Sequence, residues 1–514
     1  MLEGVERKPD DPDRIDLPSV AMVLAILAIG AAIACVFGFV SNDSWDYLLL
    51  AQSLRRGLGC TENGTYFATF PCGYPLAIAL LSPFSDIPSI FVSSKILNFA
   101  LLFLAFVFLA LSPLRIGIAA LVALNPLSLR IYQYTWSENL FLFAVAGSFA
   151  CIAAVHRNGR SGWHGVLLAA ALVIGCSSRY VFGPFAALMF VCVALVWGRR
   201  TAIRVLPSFA FAALFYWAYQ TFNVQHTGFS TGMARIPAPE STALLIYTFV
   251  HASVRIVSTF CATAAIFIVL AGARFKRAVI DEERARANWF LVLLGAGALL
   301  LQFALRVRTQ FDPFDARTLG YGYVFLLSGA AGLFTQLGDK PVRLRALVIY
   351  GLTCVLLAQG PGFALRLLRI PRDAPVPAIA DMRTYRSAPT DATLIVSLVT
   401  PRVNATIEGE SALYYPPGKE VVSPGTAPYR TAETFAAFRA RVLVRHIANC
   451  AIDFTPFASA EQFREYLDAT YPVDLRLRPK LSATEFIRRD SLDPTMRDWL
   501  RTRFAPGRYV DCGL

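Results

Sequence analysis

The sequence predicts a polytopic α-helical membrane protein of about eleven transmembrane helices, followed by a carboxy-terminal α/β domain outside the cytoplasm. Three observations carry this. The 514 residues are 56% hydrophobic and only 16% charged, with a mean hydropathy of +0.51, which excludes disordered, coiled-coil, collagen-like and disulfide-knotted chains and is too apolar for a string of soluble domains. The apolar residues are gathered into runs near the ~20 that a spanning helix needs. From residue 364 onward those runs stop, and 21 basic and 17 acidic residues are counted from residue 366 on.

In order along the chain, residues 1–18 are polar and broken by Pro9, Pro12 and Pro18, with no short apolar core leading to a small-residue cleavage site, so a cytoplasmic tail is expected rather than a signal peptide. Apolar runs follow at residues 19–40, 88–111, 114–129, 139–155, 164–178, 181–198, 204–222, 256–273, 288–305, 319–337 and 345–363. With the amino terminus inside, the inner loops carry Arg157, Arg160, Arg199, Arg200, Arg274, Lys276, Arg277 and Lys340, as the retention of Lys and Arg on the cytoplasmic side requires. The outer segments are then 41–87, 130–138, 223–255, 306–318 and the tail. This assigns the net charge of +13 to the membrane surface and leaves no case for a nucleic-acid partner. A multi-pass protein of the bacterial inner membrane, with the tail domain periplasmic or extracellular, is the expectation.

Six of the ten cysteines (Cys35, Cys151, Cys176, Cys192, Cys261, Cys354) lie in apolar runs and read as packing residues. The others fall two by two in outer segments, on the oxidising side, which predicts the disulfides Cys60–Cys72 and Cys450–Cys512; four free thiols are the alternative. In the tail, residues 371–389 read as a linker, Thr393–Val399 and Cys450–Phe454 as strands, and 431–448 and 459–468 as helices. The five histidines, His156, His164, His226, His251 and His446, are too scattered to suggest a zinc site.

The first outer loop is the richest in chemistry. Ser41-Asn42-Asp43-Ser44-Trp45-Asp46-Tyr47 leads into a stretch in which Leu48, Ala51, Leu54 and Leu58 recur at helical spacing, predicting a helix along the membrane surface. Asp43-Ser44-x-x-Tyr47-x-x-Leu50-Ala51-x-x-Leu54-x-x-Gly57-x-Gly59, with Gly73-Tyr74-Pro75-Leu76 after it, resembles the first periplasmic or luminal loop of the type C glycosyltransferases. These multi-spanning enzymes use polyprenyl-phosphate-linked sugars and include protein O-mannosyltransferases and the aminoarabinose transferases of lipid A. The resemblance implies that Asp43 is catalytic. Asn125-Pro126 through Trp136-Ser137-Glu138-Asn139 resembles the second outer loop of that family and makes Glu138 a second acidic group at the site. Ser178-Arg179 and Ala316-Arg317-Thr318-Leu319-Gly320-Tyr321 resemble two further family features, the latter with Gly320 and Tyr323 where Tyr and Pro are commonest. The resemblance spans about residues 19–335.

Residue chemistry agrees with that implication. A sugar on a polyprenyl phosphate already carries a good leaving group, so one carboxylate acting as general base on an acceptor hydroxyl suffices for displacement with inversion. Cations must hold the phosphate as charge builds on it. Arg55, Arg56, Lys95, Arg179 and Arg317 are the candidates, with Asp46 and Tyr47 beside the base. Each has a plainer competitor: Asp43 as a helix cap, Asp46 as the base in its place, Arg55 and Arg56 as lipid-head contacts, Asp312 and Asp315 as turn residues rather than metal ligands. No cofactor is certain, a divalent ion such as Mg or Mn being compatible with two carboxylates. The expected partners are a polyprenyl-phosphate sugar donor, membrane lipid and an extracytoplasmic glycan, lipid or protein acceptor. A transporter of lipid-linked sugars and a non-catalytic assembly subunit are the competing functions.

Overall fold

A computed structural model describes residues 16–367 apart from 38–41, 63–64, 160–161, 233–241, 274–281, 310–313, 336 and 338–341. The α/β domain, the linker, Asp312, Cys450 and Cys512 lie outside the described residues. All eleven apolar runs are helical over most of their length. The elements are α1 (Leu17–Phe37), α2 (Asn42–Arg55), a short hairpin of β1 (Thr61–Glu62) and β2 (Thr65–Tyr66), α3 (Gly73–Leu81), α4 (Ile87–Ala110), α5 (Arg115–Ala123), α6 (Pro126–Tyr132), α7 (Glu138–Asn158), α8 (Gly162–Ser178), α9 (Phe182–Thr227), α10 (Thr242–Ala271), α11 (Glu282–Arg308), α12 (Ala316–Phe334) and α13 (Leu344–Leu367).

Among the described residues seven helices are long and apolar enough to cross a membrane by length and composition: α1, α4, α7, α9, α10, α11 and α13. Helices α5 and α6 together form an eighth candidate bent by 54°. The bend has a local cause. Asn125 ends one helix and begins the next: its Nδ2 donates to the Leu121 and Val122 carbonyls at 2.8 Å while its Oδ1 accepts the Ser128 amide, and Pro126 occupies the first turn, where a missing N–H costs nothing.

Helix α9 contains both the 181–198 and the 204–222 runs. A straight helix of its 46 residues would be about 69 Å long, yet the Tyr216 hydroxyl donates to the carbonyl of Tyr180, the residue two before α9 begins, at 2.7 Å. The chain must double back, and it does so at Gly198, whose φ of 80° and ψ of 173° leave the helical region. The second limb, from Arg199 to Thr227, is about 43 Å long at the helical rise, some 13 Å more than the hydrocarbon thickness, so its carboxy-terminal turns reach the 60–72 loop.

The core sits around α7, with 72% of its apolar window buried against 33% for α1 and α10. Phe149, Trp197 and Phe290 interlock α7, α9 and α11, while Leu195, Trp217, Val269 and Leu300 stand exposed on the outside, as expected where the solvent is lipid. Helices α11 and α12 approach closely over Gly295 and Gly322. A Cβ on Gly295 would lie 2.5 Å from the Gly322 carbonyl oxygen, so a side chain there must push the pair apart.

Gly295→Leu is expected to cost about 1–3 kcal/mol of stability by overpacking, with a lower melting midpoint in detergent, and to impair activity because α12 carries Arg317. Tryptic mapping should recover Cys60 and Cys72 on one peptide, Gly57–Lys95, since no Lys or Arg separates them, and both should resist alkylation until reductant is added.

Candidate active site

Three helix amino-termini, those of α2, α7 and α12, meet the carboxy-terminal end of α8 at one end of the bundle. The sequence delivers a charged group at each. Asp43 and Tyr47 stand one turn apart on α2 and so share a face. Glu138 opens α7. Arg179 follows α8 directly. Arg317 lies in the first turn of α12, where Asp315 fixes it through a capping box: the Asp315 carboxylate accepts the Arg317 and Thr318 amides at 2.9 Å, and the Thr318 hydroxyl accepts the Asp315 amide at 3.1 Å. Asp315 is thus placed as a helix cap, the turn-type role weighed from sequence.

The four charged groups form one network. The Glu138 Oε1 atom accepts from Arg317 Nε and pairs with Arg179 Nη1. Arg317 Nη1 reaches Asp43 Oδ2 at 2.5 Å. Arg317 lies over the Trp136 ring, its guanidinium carbon 4.6 Å from the centroid, and Tyr134 stacks on Trp136 at 4.4 Å. Two carboxylates balance two guanidiniums, so the set is neutral as a unit. The side chain of Glu138 is 5% exposed and that of Asp43 29%: the acid with two cationic partners is deep, and the acid with one faces outward. The Tyr47 and Ser137 hydroxyls share a 2.8 Å hydrogen bond. Burial first, and the nearby Glu138 charge second, push the Tyr47 phenol above its ordinary value, so it stays protonated.

Beside this network a cleft opens between α7, α9, α11 and α12. Its head is polar, with Glu138, Arg179, Arg317, Thr318 and Gln302; its walls are apolar, with Phe141, Val181, Phe185, Leu299 and Tyr321 among them. The arrangement fits an anion joined to a long apolar chain.

Of the predicted site residues, Asp43, Tyr47, Glu138, Arg179 and Arg317 come together. Asp46 is buried on α2. Arg55 turns away, donating to the Pro83 carbonyl at 3.1 Å, and Arg56 lies past the end of α2, exposed. Lys95 is fully buried and sits under the site rather than in it: its Nζ donates to the Gln133 carbonyl at 2.8 Å and the Thr135 hydroxyl at 3.0 Å. With Asn98 Nδ2, which donates to the Tyr132 and Tyr134 carbonyls, it holds the turn that delivers Trp136 and Glu138. The α2 helix also differs from its expected surface position. Leu48 and Ala51 are buried as the spacing predicts, but so are Asp46, Leu50, Gln52 and Ser53, and Leu58 is exposed beyond the helix end. The cause is the covering loop, since Gln52 donates to Ser85 and α3 packs on α2.

Among the described residues no group of three His, Cys, Asp or Glu stands together, and the Asp43 and Glu138 carboxylates both contact Arg317. Sequence reasoning missed Trp136 as a support for Arg317, and missed Tyr180 and Asn223, taken up below. An aromatic beside an interfacial acid was the only available signal for the first.

Fold and site together define a multi-spanning helical protein with a charge network at one end of an apolar cleft. No protein-family profile and no curated protein matches the sequence. Among solved structures, the chain is similar to an ArnT from Cupriavidus metallidurans bound to undecaprenyl phosphate, with 12% identity over 72% of this chain and 69% of that one and a TM-score of 0.46. It is also similar to the oligosaccharyltransferase AglB of Archaeoglobus fulgidus, in complex with an inhibitory peptide and a dolichol-phosphate, with 11% identity over 88% and 68% and a TM-score of 0.37.

Removing Glu138 leaves two guanidiniums without their shared anion, whereas removing Asp43 frees one half-exposed contact. Glu138→Ala is therefore expected to cost about 3–5 kcal/mol and Asp43→Ala about 1 kcal/mol or less, a difference that thermal melts of the two variants in detergent will read.

Proposed function

We propose that the protein is a membrane glycosyltransferase that moves a sugar from a polyprenyl-phosphate donor to an acceptor outside the cytoplasm. One observation carries this: two arginines and two carboxylates from four chain segments converge at the polar head of an apolar cleft. In this reading the eleven apolar runs are eleven spans, the amino terminus is cytoplasmic, and the site lies on the far side. The Cys60–Cys72 bridge supports that orientation, since disulfides persist on the oxidising side.

The chemistry follows from charge. The donor phosphodiester bears one negative charge and the departing polyprenyl phosphate bears two, so the anionic oxygen gains charge as the bond from the anomeric carbon breaks. Guanidiniums that bind it are worth more in the transition state than in the ground state. Arg317 and Arg179 exchange part of their contact with the carboxylates for contact with the phosphate. Asp43, the more exposed acid with one arginine partner, is thereby released to take the acceptor proton as the new bond forms. The attack comes from the face opposite the leaving oxygen and inverts the anomeric carbon. Glu138 remains between the two arginines and keeps them parallel to the cleft. Apolar walls of Phe141, Val181, Phe185 and Leu299 receive the first isoprene units. Lys95, buried beneath the turn at Gln133–Thr135, is assigned to support rather than to phosphate, and Arg55 and Arg56 to the membrane surface.

Asp43→Asn is expected to lower transfer by about 10²–10⁴-fold while polyprenyl-phosphate binding in proteoliposomes stays within about threefold of wild type. Retention of full activity in Asp43→Asn with loss in Asp46→Asn would relocate the base. Movement of intact donor across the bilayer without release of free polyprenyl phosphate would replace the transferase with a transporter.

A further inference from the structure

The turn that carries Arg179 is not held by α8 and α9 alone. Its neighbour Tyr180 stands at the centre of a closed hydrogen-bond network built from three distant segments. The Tyr180 hydroxyl donates to the Ala68 carbonyl at 2.6 Å and accepts from Asn223 Nδ2 at 2.8 Å. Asn223 is fully buried; its second amide hydrogen goes to the Ser230 carbonyl at 2.9 Å and its Oδ1 accepts from the Tyr66 hydroxyl at 2.7 Å. The Tyr180 carbonyl accepts from Tyr216 at 2.7 Å, and Tyr219, stacked beside Tyr180, accepts the Cys72 amide at 3.0 Å.

Every donor and acceptor of the Tyr180 and Asn223 side chains has a partner, the condition under which a buried polar network becomes stiff. The network joins the far end of α9, which overreaches the bilayer, to the loop closed by Cys60–Cys72. It also joins both to the turn at 178–181. The same loop meets that turn a second time at Gly73, where a Cβ would lie 2.5 Å from the Ser177 carbonyl oxygen. Residue 179 is therefore clamped from the loop side and the helix side, and its guanidinium points the other way, to Glu138.

We infer that Tyr180, locked by Asn223, is a positioning residue that sets the Arg179 guanidinium at the head of the cleft and couples it to the disulfide-closed loop. Phenylalanine at 180 keeps the ring and its stacking but leaves the Ala68 carbonyl and one Asn223 N–H unpaired. The turn can then relax toward solvent and carry Arg179 with it. This rests on the proposal that Arg179 holds the donor phosphate.

The test is a double-mutant cycle on the full chain in nanodiscs, with undecaprenyl phosphate as the probe. Tyr180→Phe is expected to weaken binding about five- to tenfold in the wild-type background and by less than twofold in the Arg179→Ala background. Donor KM should rise while acceptor KM is unchanged. Equal losses in the two backgrounds, or no loss in the wild type, would overturn the inference. If Arg179→Ala by itself leaves binding unchanged, the phosphate role of Arg179 falls. The positioning role is then read from the same cycle on melting midpoints, where non-additive shifts sustain it and additive shifts overturn it. Asn223→Leu, which breaks the network from the opposite side, provides a second variant should Tyr180→Phe fail to fold.

Discussion

The structure depends on Glu138. An ionised carboxylate this deep, with a side chain 5% exposed, costs several kcal/mol unless cations meet it. They come from far away in sequence: Arg317 is 179 positions further on, and the same guanidinium bonds Asp43, 274 positions back. Arg179 supplies the other cation. Because separating Glu138 from Arg179 or Arg317 leaves a buried carboxylate short of a cation, the heads of α7 and α12 and the end of α8 stay together, and Asp43 adds the head of α2 through Arg317. The same cluster that closes the bundle also lines the polar head of the apolar cleft.

A second constraint surrounds the first. Each charged group is delivered by a segment at a helix end, and in a bilayer the backbone groups that a helix leaves open must find partners within the protein. Three of the four segments do so with polar side chains. Lys95 and Asn98 bind the carbonyls of residues 132–134. Tyr180 and Asn223 clamp the turn at 178–181, and Asp315 with Thr318 caps α12. Lys95, Asn98 and Asn223, all fully buried, are used in this way. It explains why a fully buried lysine lies so near the charge network and yet belongs to its support.

Much of the helical framework was readable from the sequence, because the length of an apolar run and its flanking polar residues report directly on the thickness of the bilayer. The Cys60–Cys72 bridge was readable from even counts in one outer loop. Asp43, Glu138, Arg179 and Arg317 were each picked out because the motifs around them resemble a known family and because an ionisable group at the end of an apolar helix is costly, and Tyr47 as the neighbour of Asp43. Arg55 and Lys95 were picked out by the same reasoning and point elsewhere. Charge type at a membrane edge is visible in one dimension; the direction of the side chain is decided by helix phase and by the neighbours it meets.

What the sequence determined by itself is therefore local: where the apolar runs lie and which of them carry a charge at the tip, whereas the break at Asn125-Pro126 inside the 114–129 run and the capping box at Asp315 emerge only in the structure. Tertiary structure alone decided which tips meet, that α9 turns back at Gly198 to place Asn223 against Tyr180, and that Trp136 lies under Arg317. The physical reason is range. Helix propensity, capping and burial length act over a few residues, whereas an ion pair spanning 274 positions exists only after packing has brought its two ends to the same place.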